Sequence, residues 1–144
     1  MDRETITLVE FDSQLMRDAL DLRRAVFVEE QGVPPEMEVD DEDKEAIHLV
    51  ATIGERVVAT LRITSMGNAD RIGRVAVRRE FRRKRIASRL VERASRLIAE
   101  NGGREIMLHA QIQTVEFYRR LGYCEEGEVE MDAGIPHIWM RKRL

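Results

Sequence analysis

The sequence of 144 residues predicts a mixed α/β fold, in which helices pack on a central sheet. Three observations predict it. Segments rich in β-branched residues occur both early and late in the chain, and a strongly amphipathic segment at 86–98 lies between the candidate strands 71–78 and 105–110. A helix that joins two such strands crosses one face of their sheet. Two further hairpin patterns enlarge the sheet, so the expected architecture is a layered one.

Composition and charge restrict the classes of function. The chain is 43% hydrophobic and 35% charged, which is ordinary for a globular domain. A net charge of −3 and an aromatic content of 5% argue against a nucleic-acid partner. Cys124 is the single cysteine, so no intramolecular disulfide can form and a reducing compartment is expected. No apolar run approaches the length of a membrane span and no signal peptide opens the chain, so a single cytoplasmic domain without a membrane partner is predicted.

The first elements are a strand and a helix. Residues 5–11 alternate as a strand does, and Ser13 is placed to cap a helix. A helical apolar stripe follows from Leu15 to Phe27, interrupted once by Arg23, and the pattern continues towards Gly32. Pro34-Pro35 is expected to forbid further helix.

Residues 36–45 form an acidic segment with seven carboxylates and one lysine. A solvated loop is the first interpretation, and a surface that attracts a cationic amine is the second. A calcium loop is disfavoured, because its sixth and twelfth positions, counted from Asp41, are Ala46 and Thr52 in place of glycine and glutamate.

The remaining elements follow from alternation, helical spacing and turn residues. Gly54-Glu55 joins the first hairpin, Gly122 ends a short helix, and Asp132-Ala133-Gly134 joins the last hairpin. The predicted strands are 47–53, 56–64, 71–78, 105–110, 123–131 and 135–142, and the predicted helices after the first are 86–98, stopped by Gly102-Gly103, and 114–121.

Residues 78–85, here called the basic turn, contain six cationic side chains immediately before the central helix. Cations are disfavoured there, because the helix dipole is already positive; each costs roughly 0.3–1 kcal/mol when exposed. An anion held by the free backbone N–H groups and the cationic side chains would reverse that cost. The alternative is a solvated turn that tolerates the repulsion.

The hexad Arg82-Arg83-Lys84-Arg85-Ile86-Ala87 resembles the acetyl-CoA-binding signature Arg-x-x-Gly-x-Gly/Ala of the GCN5-related N-acetyltransferases (GNAT). Its first arginine and its small last residue match. Arg85 stands where the family has glycine, which normally permits close approach of the backbone to the pyrophosphate. A residue other than glycine is still able to donate its N–H if its φ stays negative.

A second segment strengthens the resemblance. Gln111-x-x-Thr114-x-x-Phe117-Tyr118-x-x-Leu121-Gly122-Tyr123 is similar to the family's Asn-x-x-Ala-x-x-Phe-Tyr-x-x-Leu-Gly-Phe. The stretches 22–34, 109–111 and 134–140, together with His48, resemble the ElaA-like branch. The resemblance spans nearly the whole chain and implies the GNAT acyl-CoA N-acyltransferase fold, with a mostly antiparallel central sheet flanked by helices.

The resemblance also implies how acetyl-CoA is held. The third strand is expected to separate from its neighbour, so that the backbone of Val75 and Val77 binds the pantetheine arm, with the Val75 N–H as the oxyanion donor. The basic turn and the first helical turn are expected to hold the pyrophosphate. The complete predicted cofactor set is Val75, Ala76, Val77, Arg82, Arg83, Lys84, Arg85, Ile86, Ala87, Ser88, Gln111 and Phe117.

Acetyl transfer to an amine requires a base for the amine and an acid for the leaving thiolate. Tyr118 is the predicted acid, because a phenol near its usual pKa of about 10 matches a thiolate; the alternative is a tyrosine that only packs in the core. His109 is the predicted base, because histidine titrates in the useful range, although a structural histidine is the more common case. The predicted substrate-binding residues, some of which are rival bases, are Glu29, Glu30, Asp40, His48 and His137.

The expected function is therefore acetyl-CoA-dependent acetylation of a primary amine of a small molecule or peptide, by direct transfer and without a metal. No covalent intermediate on Cys124 is expected, because a lone buried thiol is usually inert. A non-catalytic domain that senses acetyl-CoA is the alternative. A homodimer is compatible with the sequence.

Overall fold

Seven strands form one mixed sheet in the computed structural model, which describes residues 3–144. The spatial order is β1-β2-β3-β4-β5-β7-β6. The β4–β5 pair is parallel and the other neighbouring pairs are antiparallel. The strands are β1 Thr5–Val9, β2 Ile47–Ile53, β3 Arg56–Met66, β4 Ala69–Val77, β5 Glu105–Gln111, β6 Cys124–Asp132 and β7 Ile135–Arg143.

Four α-helices complete the fold: α1 Gln14–Arg23, α2 Pro35–Glu38, α3 Ile86–Glu100 and α4 Val115–Arg120. The predicted fold class is confirmed. The predicted strands all exist, with ends that differ by at most two residues, because strand ends are set by pairing that the pattern of one segment does not contain. No helix among residues 3–144 is long and apolar enough to cross a membrane.

The first helix begins as expected and continues in a way the stripe did not predict. The Ser13 hydroxyl accepts the Met16 N–H at 3.1 Å, which is an N-cap bond. After Arg23 the helix widens into a π-helical segment, Arg24–Glu30. The expectation that Pro34-Pro35 forbids further helix is wrong, since α2 begins at Pro35. Proline is well suited to the first helical position, where no N–H is needed.

Two apolar clusters cover opposite faces of the sheet. The apolar stripe of α3, including Leu90 and Ile98, packs with Ile72 and Ile106 of the parallel strand pair. On the other face, α1 buries Met16 and Leu22 against β2 and β3. The sheet is therefore fixed from both sides.

The acidic segment is only partly a solvated loop. Glu38 and Asp43 are 2% and 0% exposed. Arg23 Nε lies 2.6 Å from Glu38 Oε1, and Arg23 Nη1 lies 2.8 Å from Asp43 Oδ1. Arg62 contacts Asp43 at 2.9 Å and Asp40 at 2.7 Å. The polar interruption of the α1 stripe is thus a buried arginine that requires these carboxylates. We call Arg23, Glu38, Asp40, Asp43, Arg62 and Arg74 the arginine–carboxylate network.

Candidate active site

A cleft opens where the two parallel strands separate. β4 and β5 pair only at Asp70–Ile106 and Arg71–Met107. Beyond these pairs the strands diverge, which leaves one edge of the following part of β4 without a strand partner. The expected separation of the third strand from its neighbour is confirmed; binding of pantetheine by Val75 and Val77 stays a prediction.

A β-bulge in β4 lies beside this opening. Thr60 of β3 faces Ala76, whereas Arg62 faces Gly73, so β4 contains one extra residue between these pairs. Arg74 lies within this bulge with φ +54°. Its side chain donates to the backbone carbonyls of Glu38 at 3.0 Å and Met37 at 3.1 Å. The bulge is thereby tied to α2.

The cleft brings five of the predicted site residues together: Val75, His109, Gln111, Tyr118 and His137. Further walls come from the π-helical segment, from α2, and from the turn between β6 and β7. The cleft is also lined by residues that were not among the predicted site residues, including Phe27, Gln31, Met37, Arg71, Gly73, Thr114, Asp132 and Ile135.

Tyr118 reaches the cleft from α4 and is 7% exposed. Its ring meets those of Phe117 and Tyr123 edge-on, with centroids 4.9 Å and 5.8 Å away. Burial raises the Tyr118 pKa above its usual value of 10, so the expectation of an unshifted phenol is wrong. The phenol therefore keeps its proton at neutral pH and is able to donate it. Phe117, a predicted cofactor contact, packs against the apolar cluster beneath α3.

His109 enters the cleft from β5, with its side chain 7% exposed. Its Nδ1 lies 3.0 Å from Asp132 Oδ2. The ring stacks with Trp139 at 4.4 Å and with His137 at 4.8 Å, centroid to centroid. A proton on Nδ1, donated to Asp132, makes Nε2 the unprotonated nitrogen, and that atom is buried. Nε2 lies 3.0 Å from a Glu130 oxygen, but its orientation does not make a hydrogen bond.

Asp132 and Trp139 were missed because one sits at a hairpin turn and the other looks like an ordinary strand aromatic. A signal existed in the alternation of β7: residues 137 and 139 share one face of the sheet. β7 pairs with β5, where Trp139 faces His109 and His137 faces Gln111. Gln111 in turn donates to Gln31 at 2.7 Å, which joins β5 to the π-helical segment.

The side chains of His109, Asp132 and His137 are of the types that bind metal ions. Their possible ligand atoms lie within 4.8 Å of one another. Asp132, however, accepts from His109, and His137 Nδ1 lies 2.7 Å from the carbonyl oxygen of Ile135. The His109–Asp132 bond uses two of these three groups for one another, whereas the bond of His137 to a carbonyl leaves its Nε2 available, as in metal-binding histidines.

The basic turn keeps some cations available and neutralises others. Arg82 donates to the Val77 carbonyl at 2.9 Å and forms two bonds with Glu30, at 3.0 and 2.8 Å. The Arg82 guanidinium lowers the pKa of the Glu30 carboxyl. Arg83, Lys84 and Arg85 are exposed.

The backbone of this turn differs from the expected one. Arg83 and Arg85 each have φ +63°, so the condition of a negative φ at the motif's glycine position is not met. The left-handed conformation costs roughly 1–2 kcal/mol for a residue with a side chain. After Arg85, α3 buries Ile86 and leaves Ala87 and Ser88 half-buried in its first turn.

The other predicted site residues lie apart from the cleft. His48 is 1% exposed, its Nε2 is 2.7 Å from the Asp43 carbonyl oxygen, and burial lowers its pKa. Asp40 belongs to the arginine–carboxylate network, and hydrogen bonds from Arg62 lower its pKa. Glu29 is exposed on the π-helical segment, and Ala76 is buried with the α1 cluster.

The sequence resemblance implies a third strand that separates from its neighbour, followed by the basic turn and a crossover helix. The structure contains these three features, with a bulge beside the separation. The family model described as acetyltransferase (GNAT) domain matches residues 11–144. The chain belongs to this family. It is an acetyltransferase of the GNAT fold, as the sequence predicted.

Similar proteins agree with this assignment. An uncharacterized N-acetyltransferase of Bacillus subtilis, YjcF, is 33% identical over 132 residues, which cover 91% of this chain and 94% of that protein. An acyl-CoA N-acyltransferase of Pseudomonas aeruginosa has a TM-score of 0.87 and 30% identity, over 97% of this chain and 99% of that one. Escherichia coli ElaA has a TM-score of 0.85 and 26% identity, over 97% and 99%. The resemblance to the ElaA-like branch is confirmed.

Proposed function

We propose that this acetyltransferase moves the acetyl group of acetyl-CoA directly to a primary amine of a small molecule or peptide. The observation that carries the proposal is the opening between β4 and β5, which Tyr118 and His109 both line. A buried proton donor and a histidine with a carboxylate partner are the two groups that direct transfer to an amine requires.

The chain offers two features that fit acetyl-CoA. Among residues 3–144, the edge of β4 after Arg71 has no strand partner on the β5 side, so its backbone groups are available to an extended pantetheine arm. The basic turn, with Arg83, Lys84 and Arg85 exposed, is suited to the pyrophosphate. Acetyl-CoA supplies the acetyl group as a thioester, which is activated for attack by nitrogen.

The residues of the cleft manage the protons. In the proposed reaction, the hydrogen-bonded pair of His109 and Asp132 accepts the proton of the acceptor ammonium, and Asp132 stabilises the imidazolium through Nδ1. As the C–N bond forms and the C–S bond breaks, the Tyr118 hydroxyl gives its proton to the leaving sulfur. The second proton that the new amide nitrogen must lose restores the Tyr118 hydroxyl, and His109 then releases its proton to solvent. Tyr118 carries its proton at neutral pH, and the burial that raises its pKa favours the neutral phenol.

Replacement of Tyr118 by phenylalanine tests the acid. The ring and its edge-on contacts remain, so folding and acetyl-CoA affinity should be nearly unchanged. Turnover, measured as release of free thiol with an amine acceptor, should fall roughly 10²–10⁴-fold, the usual contribution of a positioned general acid.

Tyr123→Phe is the matched control. Tyr123 is also buried, at 2% exposure, and burial also raises its pKa, but it does not line the cleft. It should keep the turnover of the parent protein. Near-normal turnover of Tyr118→Phe would show that another group or water protonates the thiolate. Equal loss in both variants would assign the effect to packing.

A further inference from the structure

Arg71 is a cation in the cleft that the proposed chemistry does not use. It is the last residue of β4 paired with β5, and its side chain lines the cleft where the strands begin to separate. The guanidinium carbon lies 5.1 Å from the centroid of the Trp139 ring. Trp139 also stacks on His109, so the cation and the candidate base contact the same indole.

Two buried arginines, Arg23 and Arg62, and the half-buried Arg74 all have carboxylate partners. Arg23 pairs with Glu38 and Asp43, Arg62 pairs with Asp40 and Asp43, and Arg74 contacts the same carboxylates. Within residues 3–144, no carboxylate oxygen lies within 4.0 Å of the Arg71 guanidinium. Burial lowers its pKa, with a further contribution from the nearby Arg62, yet a guanidinium stays charged in proteins. A half-buried cation that is desolvated without an anion is stabilised by any anion that enters the cleft.

The phosphates of acetyl-CoA are too distant to be that anion. The basic turn follows the end of β4 at Val77. Val77 lies six positions after Arg71; at about 3.3 Å per residue this is roughly 20 Å of strand, shortened slightly by the bulge. Arg71 therefore lies towards the other end of the cleft, beside His109 and the turn between β6 and β7.

We propose that Arg71 binds a carboxylate of the acceptor, and that the acceptor is an amine carrying a carboxylate, of the amino-acid class. This inference rests on the proposed function. The planar guanidinium offers two parallel N–H groups to a carboxylate, and stacking on Trp139 holds its plane. Asp132, close to His109, complements the ammonium of the same molecule. A phosphate monoester fits less well, because its second negative charge would face Asp132 and Glu38 in the same cleft.

Turnover of matched acceptors tests the specificity. Amino acids are compared with their amides and methyl esters, at saturating acetyl-CoA, by release of free thiol. The parent protein should favour the carboxylate by about tenfold or more in kcat/KM, equivalent to 1.4 kcal/mol. Arg71→Met should abolish the preference, mainly by raising KM for the carboxylate. Arg71→Lys should keep part of it, and Arg93→Met, on the exposed face of α3, should keep all of it.

An equal effect of Arg71→Met on acids and amides would overturn the proposal and leave Arg71 a packing residue. A parent protein that prefers amides, esters or polyamines as acceptors would also overturn the proposal. That second result would leave the proposed amine acetylation intact, which separates the two claims.

A binding measurement keeps the inference testable even if no acceptor turns over. Trp139 is the only tryptophan in the chain, so its fluorescence reports this site alone. Titration with N-acetylglycine should give a saturable change in the parent protein. N-acetylglycinamide should give none, and Arg71→Met should not respond to either. A missing or identical response to the two compounds in the parent protein would refute a carboxylate site at Arg71.

Discussion

The acidic segment and the basic turn are similar runs of charge in the sequence, but the structure treats them in opposite ways. The acidic segment sends Glu38 and Asp43 inward, where Arg23 and Arg62 neutralise them at 2.6–2.9 Å. The basic turn points Arg83, Lys84 and Arg85 outward. Of its cations, Arg82 is committed to Glu30.

The difference shows that the role of a charged run depends on which counter-charges the fold brings to it. The buried charges of the acidic segment are neutralised by arginines of the same chain, so they stabilise the fold. Arg83, Lys84 and Arg85 of the basic turn pair with no carboxylate among residues 3–144, so they are available to bind an anion from solution. Changes in the first region should therefore alter stability, and changes in the second should alter binding.

The largest effect on stability is expected for Asp43→Asn. Asp43 accepts hydrogen bonds from both Arg23 and Arg62, so the substitution leaves two buried guanidinium groups short of a counter-charge. Breaking a buried pair in this way costs about 3–5 kcal/mol of unfolding free energy. Urea denaturation measures it, with Asp41→Asn, an exposed neighbour, as the control. Equal stability of the two variants would remove the distinction between the regions.

Acid should weaken the same network. Arginine partners hold the pKa of Asp43 and of Asp40 below the usual value of 3.8. A carboxyl with a lowered folded-state pKa stabilises the protein fully above its unfolded pKa, and this contribution is lost as pH falls through and below about 4. Thermal unfolding followed from pH 7 downwards should show the loss. Asp43→Asn should lose less over the same range, and a parallel decline would exclude Asp43 as its source.

A smaller effect, on affinity, is expected in the basic turn. The double variant Arg83→Ala with Lys84→Ala should weaken acetyl-CoA binding by about tenfold, or 1.4 kcal/mol. It should leave the denaturation midpoint unchanged or slightly raise it, because exposed cations at a helix N-terminus are disfavoured. The affinity of the parent protein should fall as salt is raised, because exposed charges are screened, and the variant should depend less on salt. Calorimetry measures both. Equal affinity of the parent protein for acetyl-CoA and for pantetheine alone would contradict phosphate binding by this turn.

The smallest effect is expected for Arg85→Gly. Glycine relieves the left-handed strain at φ +63°, worth roughly 1–2 kcal/mol, but gains about 0.4–1 kcal/mol of freedom in the unfolded chain. Stability should therefore rise by about 0–1.6 kcal/mol. Arg93→Gly, inside α3, should instead lower it by about 1 kcal/mol. A loss of stability in Arg85→Gly would mean that the side chain makes a stabilising contact in the turn.

Much of the fold followed from local pattern. The α3 stripe, the glycine turns and the alternating strands each reflect which side of a segment is buried, and that information is local. The separation of β4 from β5 was reached through the family resemblance. Local pattern gave no sign of the π-helical segment, nor of Pro35 as the start of a helix in place of the end of one.

The site was harder to predict, because its members meet only through the sheet. Tyr118 and His109 line the same cleft, which is necessary if both act on one substrate. His48, in contrast, is held in the core by its contact with the Asp43 carbonyl oxygen. Asp132 joins His109 only because β7 lies between β5 and β6. In the sequence, Arg71 is one polar residue of an alternating strand. Only the fold shows that no carboxylate among residues 3–144 pairs with it.

Arg74 links two walls of the cleft that would otherwise be independent. It forms part of the β4 bulge, and its side chain holds two carbonyls of the α2 region. The wall of the cleft where we propose that the acceptor binds is therefore preformed. A preformed wall avoids the conformational entropy that an ordering lid would lose on closure. Discrimination among amines should then come from the shape and charge of a rigid recess, and a poorly fitting amine gains no help from rearrangement of this wall.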